Sequence, residues 1–189
     1  MTKNVIILLA EGFEEIEAVT PIDYLRRAGI EVTIAAIGSS LAVKGARNIS
    51  LNADTTLREL ASKGKTGAAF WDAVIIPGGM TGAINLAASQ EAGGLINEMA
   101  DAGKMVCALC AAPAVVLAPL GLLHGKKFTC YPDMEENVQG GKWTDEDVAT
   151  DSNIITSRAA GTAAKFAAAI VTQLLGKSEW EKVAKAVLL

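Results

Sequence analysis

The sequence predicts a doubly wound α/β sandwich, in which a mostly parallel sheet is covered by helices on both faces. Three observations lead to this prediction. Short apolar runs of strand length alternate with longer amphipathic segments along the 189-residue chain. Several of these runs are apolar throughout, as in strands that are buried on both faces. Segments of helical length separate the runs, and such crossovers bring successive strands together in parallel.

Length and composition limit the class of protein. With 189 residues, of which 51% are hydrophobic, the chain can bury one sizeable core, so we expect a single domain over residues 1–189. A net charge of -4 without a basic cluster gives no electrostatic footprint for nucleic acid. Three cysteines are typical of reduced thiols, and the apolar run near the N-terminus is too short for a signal peptide. These features favour the cytoplasm.

The first half of the chain predicts three strands and two helices. The strands are apolar runs at 4–10, 30–38 and 71–79. A helix is expected over 14–29, with Gly29 at its carboxyl end, and a brief one over 55–64. Between them, 39–54 predicts short strands around a turn at Gly45. The third strand runs into a glycine-rich loop.

The second half continues the alternation with less regular segments. A helix over 89–103, a strand over 104–110 and a helix over 111–117 come first. Weaker strands and two terminal helices follow, at 126–131, 147–150, 153–157, 161–176 and 179–188. Residues 106–123 carry no charge and approach the length of a membrane span, but two prolines and a glycine interrupt them. Strand, turn and buried helix therefore fit better than a membrane span.

Cys107 and Cys110 lie three positions apart, which raises the alternatives of a redox pair and a zinc site. On an extended strand their side chains point to opposite faces, roughly 10 Å apart, which exceeds the reach of a disulfide. His124 and Cys130 would complete a zinc set, yet zinc knuckles place such cysteine pairs on polar turns and these residues are apolar. We therefore expect no metal site.

Cys110 stands where the predicted strand gives way to a helix. Small residues and Pro113 follow it, so its sulfur would face a helix N-terminus and free backbone amides. Such surroundings lower the pKa of a thiol and stabilise an oxyanion. The alternative is an inert buried cysteine, because free cysteine often acts as a small hydrophobic residue. No histidine neighbours Cys110, which disfavours a cysteine–histidine protease.

Acidic residues at the end of the first strand are candidate partners for Cys110. In doubly wound sheets the functional crevice lies at the carboxyl ends of the strands. Glu14, Glu15 and Glu17 open the first helix, where acidic side chains also serve simply as solvated caps. If Glu17 meets Cys110, burial would raise the pKa of the carboxyl, and the pair would share one proton near neutral pH.

Four segments together resemble the DJ-1 family within the DJ-1/PfpI superfamily, which has a class I glutamine amidotransferase-like fold. They are "AEGFEEIEAVTPIDYLRRAGI", "VIIPGGMTGAINL", "CALCAAPAVVL" and "IITSRAAGT", in that order. The resemblance implies a flavodoxin-like sandwich that forms a homodimer. It also implies that Cys110 is a nucleophile at a sharp elbow and Glu17 its carboxyl partner. Backbone amides near Gly79 and Ala111 would form the oxyanion pocket.

The resemblance further implies chemistry on reactive dicarbonyls such as methylglyoxal. The activity would be that of a cofactor-independent glyoxalase III-type lyase, or of a deglycase that hydrolyses early glycation adducts. The alternative is a non-enzymatic sensor of oxidative stress, or a redox-regulated chaperone, that uses the oxidation of Cys110. The partners implied are small carbonyls or glycated adducts and a second copy of the chain, with neither nucleic acid nor membrane.

Further pocket residues are implied, and several positions depart from the family pattern. The implied residues are Glu14, Arg27, Arg47, Tyr131 and Ser157. Tyr131 in "TCYP" replaces a family histidine, and Met80 follows the glycine pair where a polar residue can occur. A phenol is a weaker base than an imidazole, so a mechanism that needs this histidine is in doubt. For Arg27 and Arg47, exposed salt bridges are the alternative.

Overall fold

The computed structural model describes residues 2–189 and is built around a seven-stranded sheet. The strands, in chain order, are β1 (Asn4–Leu9), β2 (Glu31–Ala36), β3 (Ala42–Lys44), β4 (Ser50–Asn52), β5 (Thr55–Thr56), β6 (Ala73–Ile76), β7 (Met105–Leu109), β8 (Lys127–Phe128), β9 (Lys142–Trp143), β10 (Val148–Asp151) and β11 (Ile154–Ser157). In the main sheet their order is β10-β11-β7-β6-β1-β2-β5. Every pairing in it is parallel except the antiparallel pair of β10 and β11.

Helices cover both faces of this sheet. They are α1 (Glu15–Arg27), α2 (Leu57–Ser62), α3 (Met80–Ala88), α4 (Gln90–Asp101), α5 (Ala163–Leu175) and α6 (Lys177–Val187). Side chains from α1 and α5 pack in one core cluster, and those from α2, α3 and α4 pack in the other. The predicted doubly wound α/β architecture is therefore confirmed.

Strand β1 shows why its run is apolar throughout. Val5, Ile7 and Leu9 point into the cluster that contains α1 and α5. Ile6 and Leu8 point into the opposite cluster, and all five side chains are fully buried. Because successive side chains of a strand face opposite ways, a strand between two helix layers needs apolar residues at both parities.

Two helical segments differ from the expectations. Helix α3 occupies residues 80–88, directly after the glycine pair, where only a loop was predicted. Gly79, with φ of +84°, lets the chain turn sharply into this helix, so the glycines start a helix as well as end a strand. The helix predicted over 111–117 is a short π-helix over Pro113–Leu117.

The uncharged segment 106–123 enters the core as strand β7, a turn and this π-helix. Within residues 2–189, no helix has both the length and the apolar character that are needed to cross a bilayer.

The chain order of the strands creates a crevice at one end of the sheet. After β1 the chain crosses to α1 on one face, and after the neighbouring β6 it crosses to α3 on the other face. Loops that leave two adjacent parallel strands in opposite directions open a gap at the carboxyl ends. The segments after β1, β6 and β7 meet in this gap.

Tight packing at this gap predicts opposite effects for two helical glycines. A methyl group at Gly82 in α3 would lie 2.7 Å from the backbone nitrogen of Phe13, whereas a methyl group at Gly94 in α4 meets nothing within 4 Å. We expect Gly82→Ala to lower the free energy of unfolding by about 1–3 kcal/mol through overpacking. Gly94→Ala should raise it by about 0.5–1 kcal/mol, because alanine favours helix.

Urea denaturation of both variants measures these changes. An equal gain in stability from both substitutions would contradict the close approach of α3 to the loop after β1.

Candidate active site

Cys110 sits on a strained turn directly after β7. Its φ is +64°, in the left-handed region that residues other than glycine rarely adopt. The backbone is fixed on both sides: the N–H of Cys110 donates to the Ser157 carbonyl at 2.9 Å, and its carbonyl accepts from the Tyr131 N–H at 2.8 Å. A sharp strand-to-helix turn of this kind presents the side chain of the turning residue to the crevice.

This turn corrects the expectation for the two cysteines of "CALC". Cys107 is fully buried, and Cys110 packs against the same core cluster rather than on the opposite side of the sheet. The alternation of a strand ends where Cys110 takes a positive φ. Cys107, Cys110 and Cys130 are all free thiols. In the part of the chain that the structure describes, no group of three or more histidine, cysteine or acidic side chains could hold a metal ion.

Glu17 reaches Cys110 from helix α1. Its side chain is 1% exposed, its Oε2 accepts from the Gly78 N–H at 2.9 Å, and its carboxyl hydrogen-bonds with the Cys110 thiol. Gly78 lies between the two groups. A methyl group there would lie 2.6 Å from Oε2 of Glu17 and 2.7 Å from Cβ of Cys110. Only glycine at this position therefore leaves room for the contact.

Burial raises the pKa of Glu17 to about 7. The nearby charge of Glu14 adds to the rise, whereas hydrogen bonds from Cys110 and from the Gly78 N–H oppose it. Glu17 is thus a carboxyl that exchanges its proton near neutral pH, as a general acid or base at such a pH must do.

The pKa of Cys110 is raised to about 12, although the helix N-terminus predicted a lowered value. Burial is the largest cause, and the charge of Glu17 and its hydrogen bond add to it. The N–H groups of Gly79 and Ala111 hydrogen-bond to the sulfur and oppose the rise. Once Glu17 carries a charge, a second charge on the adjacent sulfur is disfavoured, so the two groups lose their protons in widely separated steps.

A cleft of about 170 Å³ opens above this pair. Cys110, Ala111 and Gly79 line its base. Glu14 and Arg47 line a polar side, with Nη2 of Arg47 3.9 Å from Oε2 of Glu14. The remaining side is apolar and is formed by Met80, Tyr131 and Met134. A larger cleft of about 290 Å³ lies beside the ends of β1 and β2, but its lining includes no thiol.

Glu15 has a role that the sequence did not reveal. It is 5% exposed, and its Oε1 accepts from the N–H of Arg47 at 2.7 Å and of Ile49 at 3.3 Å. A methyl group at Gly45 would collide with this carboxyl. Glu15 therefore holds the turn between β3 and β4 against α1 and keeps Arg47 at the edge of the cleft. Three glutamates opening one helix gave no sign of which would be buried.

Not every residue implied by the resemblance reaches the cleft. Glu14, Arg47 and Tyr131 line it. Arg27 instead pairs with Asp23 at 2.6 Å on the outer surface of α1, which is the exposed salt bridge that the sequence left as an alternative. Ser157 is fully buried, and its Oγ bonds within the core to Thr162 at 2.7 Å. Met134 was missed altogether, because it lies in an irregular segment without periodicity.

Comparisons with known proteins show which family the chain resembles. The model of the DJ-1/PfpI family matches residues 3–173. Protein DJ-1 homolog A of Arabidopsis thaliana is 38% identical over 99% of this chain, which spans about half (46%) of that relative. Protein dj-1beta of Drosophila melanogaster is 39% identical over 100% of this chain and 98% of its own length. A Caenorhabditis elegans relative named glutathione-independent glyoxalase DJR-1.2 is 34% identical, over 97% of this chain and 95% of its own length.

The fold agrees as well as the sequence does. The crystal structure of Drosophila melanogaster DJ-1beta superposes with a TM-score of 0.92 at 38% identity, covering 100% of this chain and 99% of that one. Because the family model and a full-length relative both extend over nearly the whole chain, this protein belongs to the DJ-1/PfpI family.

Proposed function

We propose that the protein is a cofactor-independent glyoxalase that converts α-oxoaldehydes to α-hydroxy acids, or acts as a deglycase on early glycation adducts. The observation that carries this proposal is the position of the Cys110 sulfur, between the Glu17 carboxyl and the N–H groups of Gly79 and Ala111. A nucleophile, a proton carrier and two oxyanion donors thereby meet in one cleft. The relative named as a glutathione-independent glyoxalase supports this activity.

The first step is attack by the sulfur of Cys110 on the aldehyde carbon. A C–S bond forms and the carbonyl π electrons move to oxygen, where the Gly79 and Ala111 N–H groups stabilise the charge. Glu17 donates its proton to this oxygen, which gives a hemithioacetal and leaves Glu17 as a carboxylate. The nucleophile is the form of the singly charged pair in which the remaining proton lies on Glu17 and the sulfur is a thiolate.

Proton transfer within the adduct completes the reaction. Glu17 removes the proton from the former aldehyde carbon and returns a proton to the neighbouring carbon through an enediol. The first carbon is oxidised to a thioester and the second is reduced to an alcohol, so no external electron carrier is needed. Water then cleaves the thioester, releases the α-hydroxy acid and restores the thiol. Tyr131 supplies no imidazole, which leaves Glu17 as the proton carrier.

The same cleft supports a second candidate function, a response to oxidants. Peroxide would oxidise the Cys110 sulfur to a sulfenic and then a sulfinic acid, since the thiolate is the susceptible form. The Gly79 and Ala111 amides, together with a protonated Glu17, could hydrogen-bond the resulting oxygens. This function needs no carbonyl substrate, so a measurement of carbonyl turnover distinguishes an oxidant sensor from an enzyme.

We propose the cytoplasm as the compartment of the protein. All three cysteines are free thiols, and Cys110 must remain reduced for the proposed reaction. A reducing compartment maintains this state.

The role of Cys110 predicts that Cys110→Ser will lower methylglyoxal turnover by about a thousandfold or more, because a serine hydroxyl is a weaker nucleophile without a thiolate form. Lactate formation without added glutathione measures this loss. Cys107→Ala, which removes a thiol from the core, is the matched control and should keep turnover close to wild type. Equally slow reaction of the wild-type protein and Cys110→Ser with methylglyoxal and with a bulkier α-oxoaldehyde would overturn the proposed enzymatic function and favour the oxidant response.

The shared proton predicts how the reactivity of Cys110 depends on pH. Below about pH 7 both groups are protonated and neutral, because the pKa of Glu17 is raised to about 7. The rate at which iodoacetamide alkylates Cys110 should therefore rise as the pH increases through about 7, when the pair loses its first proton. Intact-mass measurements over a pH series follow this rate.

Two glutamine variants test whether Glu17 and Cys110 share this proton. They should shift the inflection of the alkylation rate against pH in opposite directions. Glu17→Gln should move it upward, because burial still raises the pKa of the isolated thiol. Glu14→Gln should move it downward, because the charge of Glu14 contributes to the raised pKa of Glu17. An inflection that stays in place in Glu17→Gln would show that the carboxyl does not share the proton.

We also propose that the chain forms a homodimer through an exposed apolar patch. Ile16 and Val19 of α1 and Ile49 of the β3–β4 turn form this patch, and Glu15 ties the two elements together. Exposed apolar side chains clustered in this way are typical of interfaces. Light scattering after size exclusion should give twice the chain mass, and Ile16→Lys with Ile49→Lys should give a monomer.

Ile84→Lys, an equally exposed change on α3, is the control for charge alone and should leave the dimer intact. A monomeric wild-type protein at micromolar concentration would contradict the proposed interface.

A further inference from the structure

We propose that the cleft selects α-oxoaldehydes whose substituent is larger and more apolar than methyl, with Met80, Tyr131 and Met134 as the subsite for that substituent. This preference rests on the proposed function and concerns the same cleft. It would make methylglyoxal a poor member of the substrate class.

The proposed reaction fixes where the substituent must lie. The aldehyde carbon has to meet the sulfur of Cys110, and its oxygen has to face the Gly79 and Ala111 amides at the base of the cleft. Ala111 is buried and Gly78 has no room for even a methyl group, so the base cannot take the rest of the molecule. The second carbonyl and its substituent must therefore extend toward the mouth.

At the mouth the substituent meets an apolar wall. Met80 is the first residue of α3 and is 52% exposed, and Tyr131 is 50% exposed. Met134 is partly buried, and its N–H donates to the Tyr131 carbonyl at 3.2 Å. Tyr131 in turn donates to the carbonyl of Cys110, so one wall of the cleft is anchored to the elbow itself. The backbone of Tyr131 and Met134 thus stands at a fixed position relative to the reacting sulfur.

The opposite wall gives the substrate a defined orientation. Glu14 and Arg47 lie there, and Glu15 holds the Arg47 backbone in place. The polar second carbonyl fits this side, which directs the substituent toward the methionines. A methyl group would leave the half-exposed Met80 and Tyr131 largely in water, whereas a branched alkyl group would cover them. Methionine is flexible and polarizable, so it adapts to substituents of varied shape.

Initial rates on two substrates test the preference. We expect kcat/KM for isobutylglyoxal to exceed that for methylglyoxal by about tenfold or more, as hydrophobic pockets discriminate between substituents of different size. Met80→Gln should bring the ratio toward one, whereas Met80→Leu, which keeps an apolar side chain, should preserve the preference. Ile84→Gln changes an exposed apolar residue of the same helix that does not line the cleft, and it should leave the ratio unchanged.

Failure of the preference is distinguishable from failure of the proposed function. Cys110-dependent turnover of both substrates with a ratio of one or less would overturn the preference and leave the function standing. Without turnover of either substrate the proposed function fails. The apolar subsite is then tested by how strongly hydroxy acids that bind in the cleft protect Cys110 from alkylation by iodoacetamide. Stronger protection by α-hydroxyisocaproate than by lactate, lost in Met80→Gln, would support an apolar subsite, and equal protection would overturn it.

Discussion

The contact between the Glu17 carboxyl and the Cys110 sulfur is the constraint on which the rest of the site depends. It requires that helix α1 bury a glutamate, that Gly78 lack a side chain between the two groups, and that β7 end in a turn that aims the sulfur at α1. Each requirement falls on a different segment of the chain, and all three segments leave adjacent strands at the same end of the sheet. The topology of the sheet therefore brings the two groups near each other, and the absence of a side chain at Gly78 lets them come into contact.

The strained turn at Cys110 persists because the surrounding structure holds it on all sides. A non-glycine residue in the left-handed region costs on the order of 1–3 kcal/mol. A backbone hydrogen bond that Cys110 donates to β11, and one that it accepts from the Tyr131 N–H, fix the two sides of the turn, and the strands beneath it are buried. A buried parallel sheet with helices on both faces cannot relax one turn without disturbing its neighbours. The fold thus holds the sulfur in one orientation that a loop alone could not maintain.

Local patterns predicted the parts of the structure that depend on local chemistry. The apolar runs located β1, β6 and β7, and the small residues after Cys110 placed it where a strand gives way to a helix, because strand burial and helix starts depend on short segments of sequence. Helix α3 was missed because Gly78 and Gly79 are loop-forming on their own, and the sequence did not reveal the close approach of Gly79 to the backbone of residues 12–14. The predicted direction of the Cys110 pKa shift was wrong for a similar reason. The sequence indicated nearby backbone amides, which lower the pKa, but not the depth of burial, which raises it. Long-range packing also decided that Glu15, rather than Glu14, became the buried clamp of the β3–β4 turn.

Substrate selection and proton handling are linked in this cleft through burial. Desolvation is the largest cause of the raised pKa of Glu17, and the cleft opens beside its partner Cys110. An apolar substituent lying across Met80 and Met134 would displace water from that opening, which would further disfavour the ionised carboxyl. A hydrophobic substrate would therefore make the Glu17 carboxylate a stronger base toward the proton on the adduct carbon. Since Tyr131 brings no imidazole to share this task, the apolar wall would support the one group to which the proposed reaction assigns the proton.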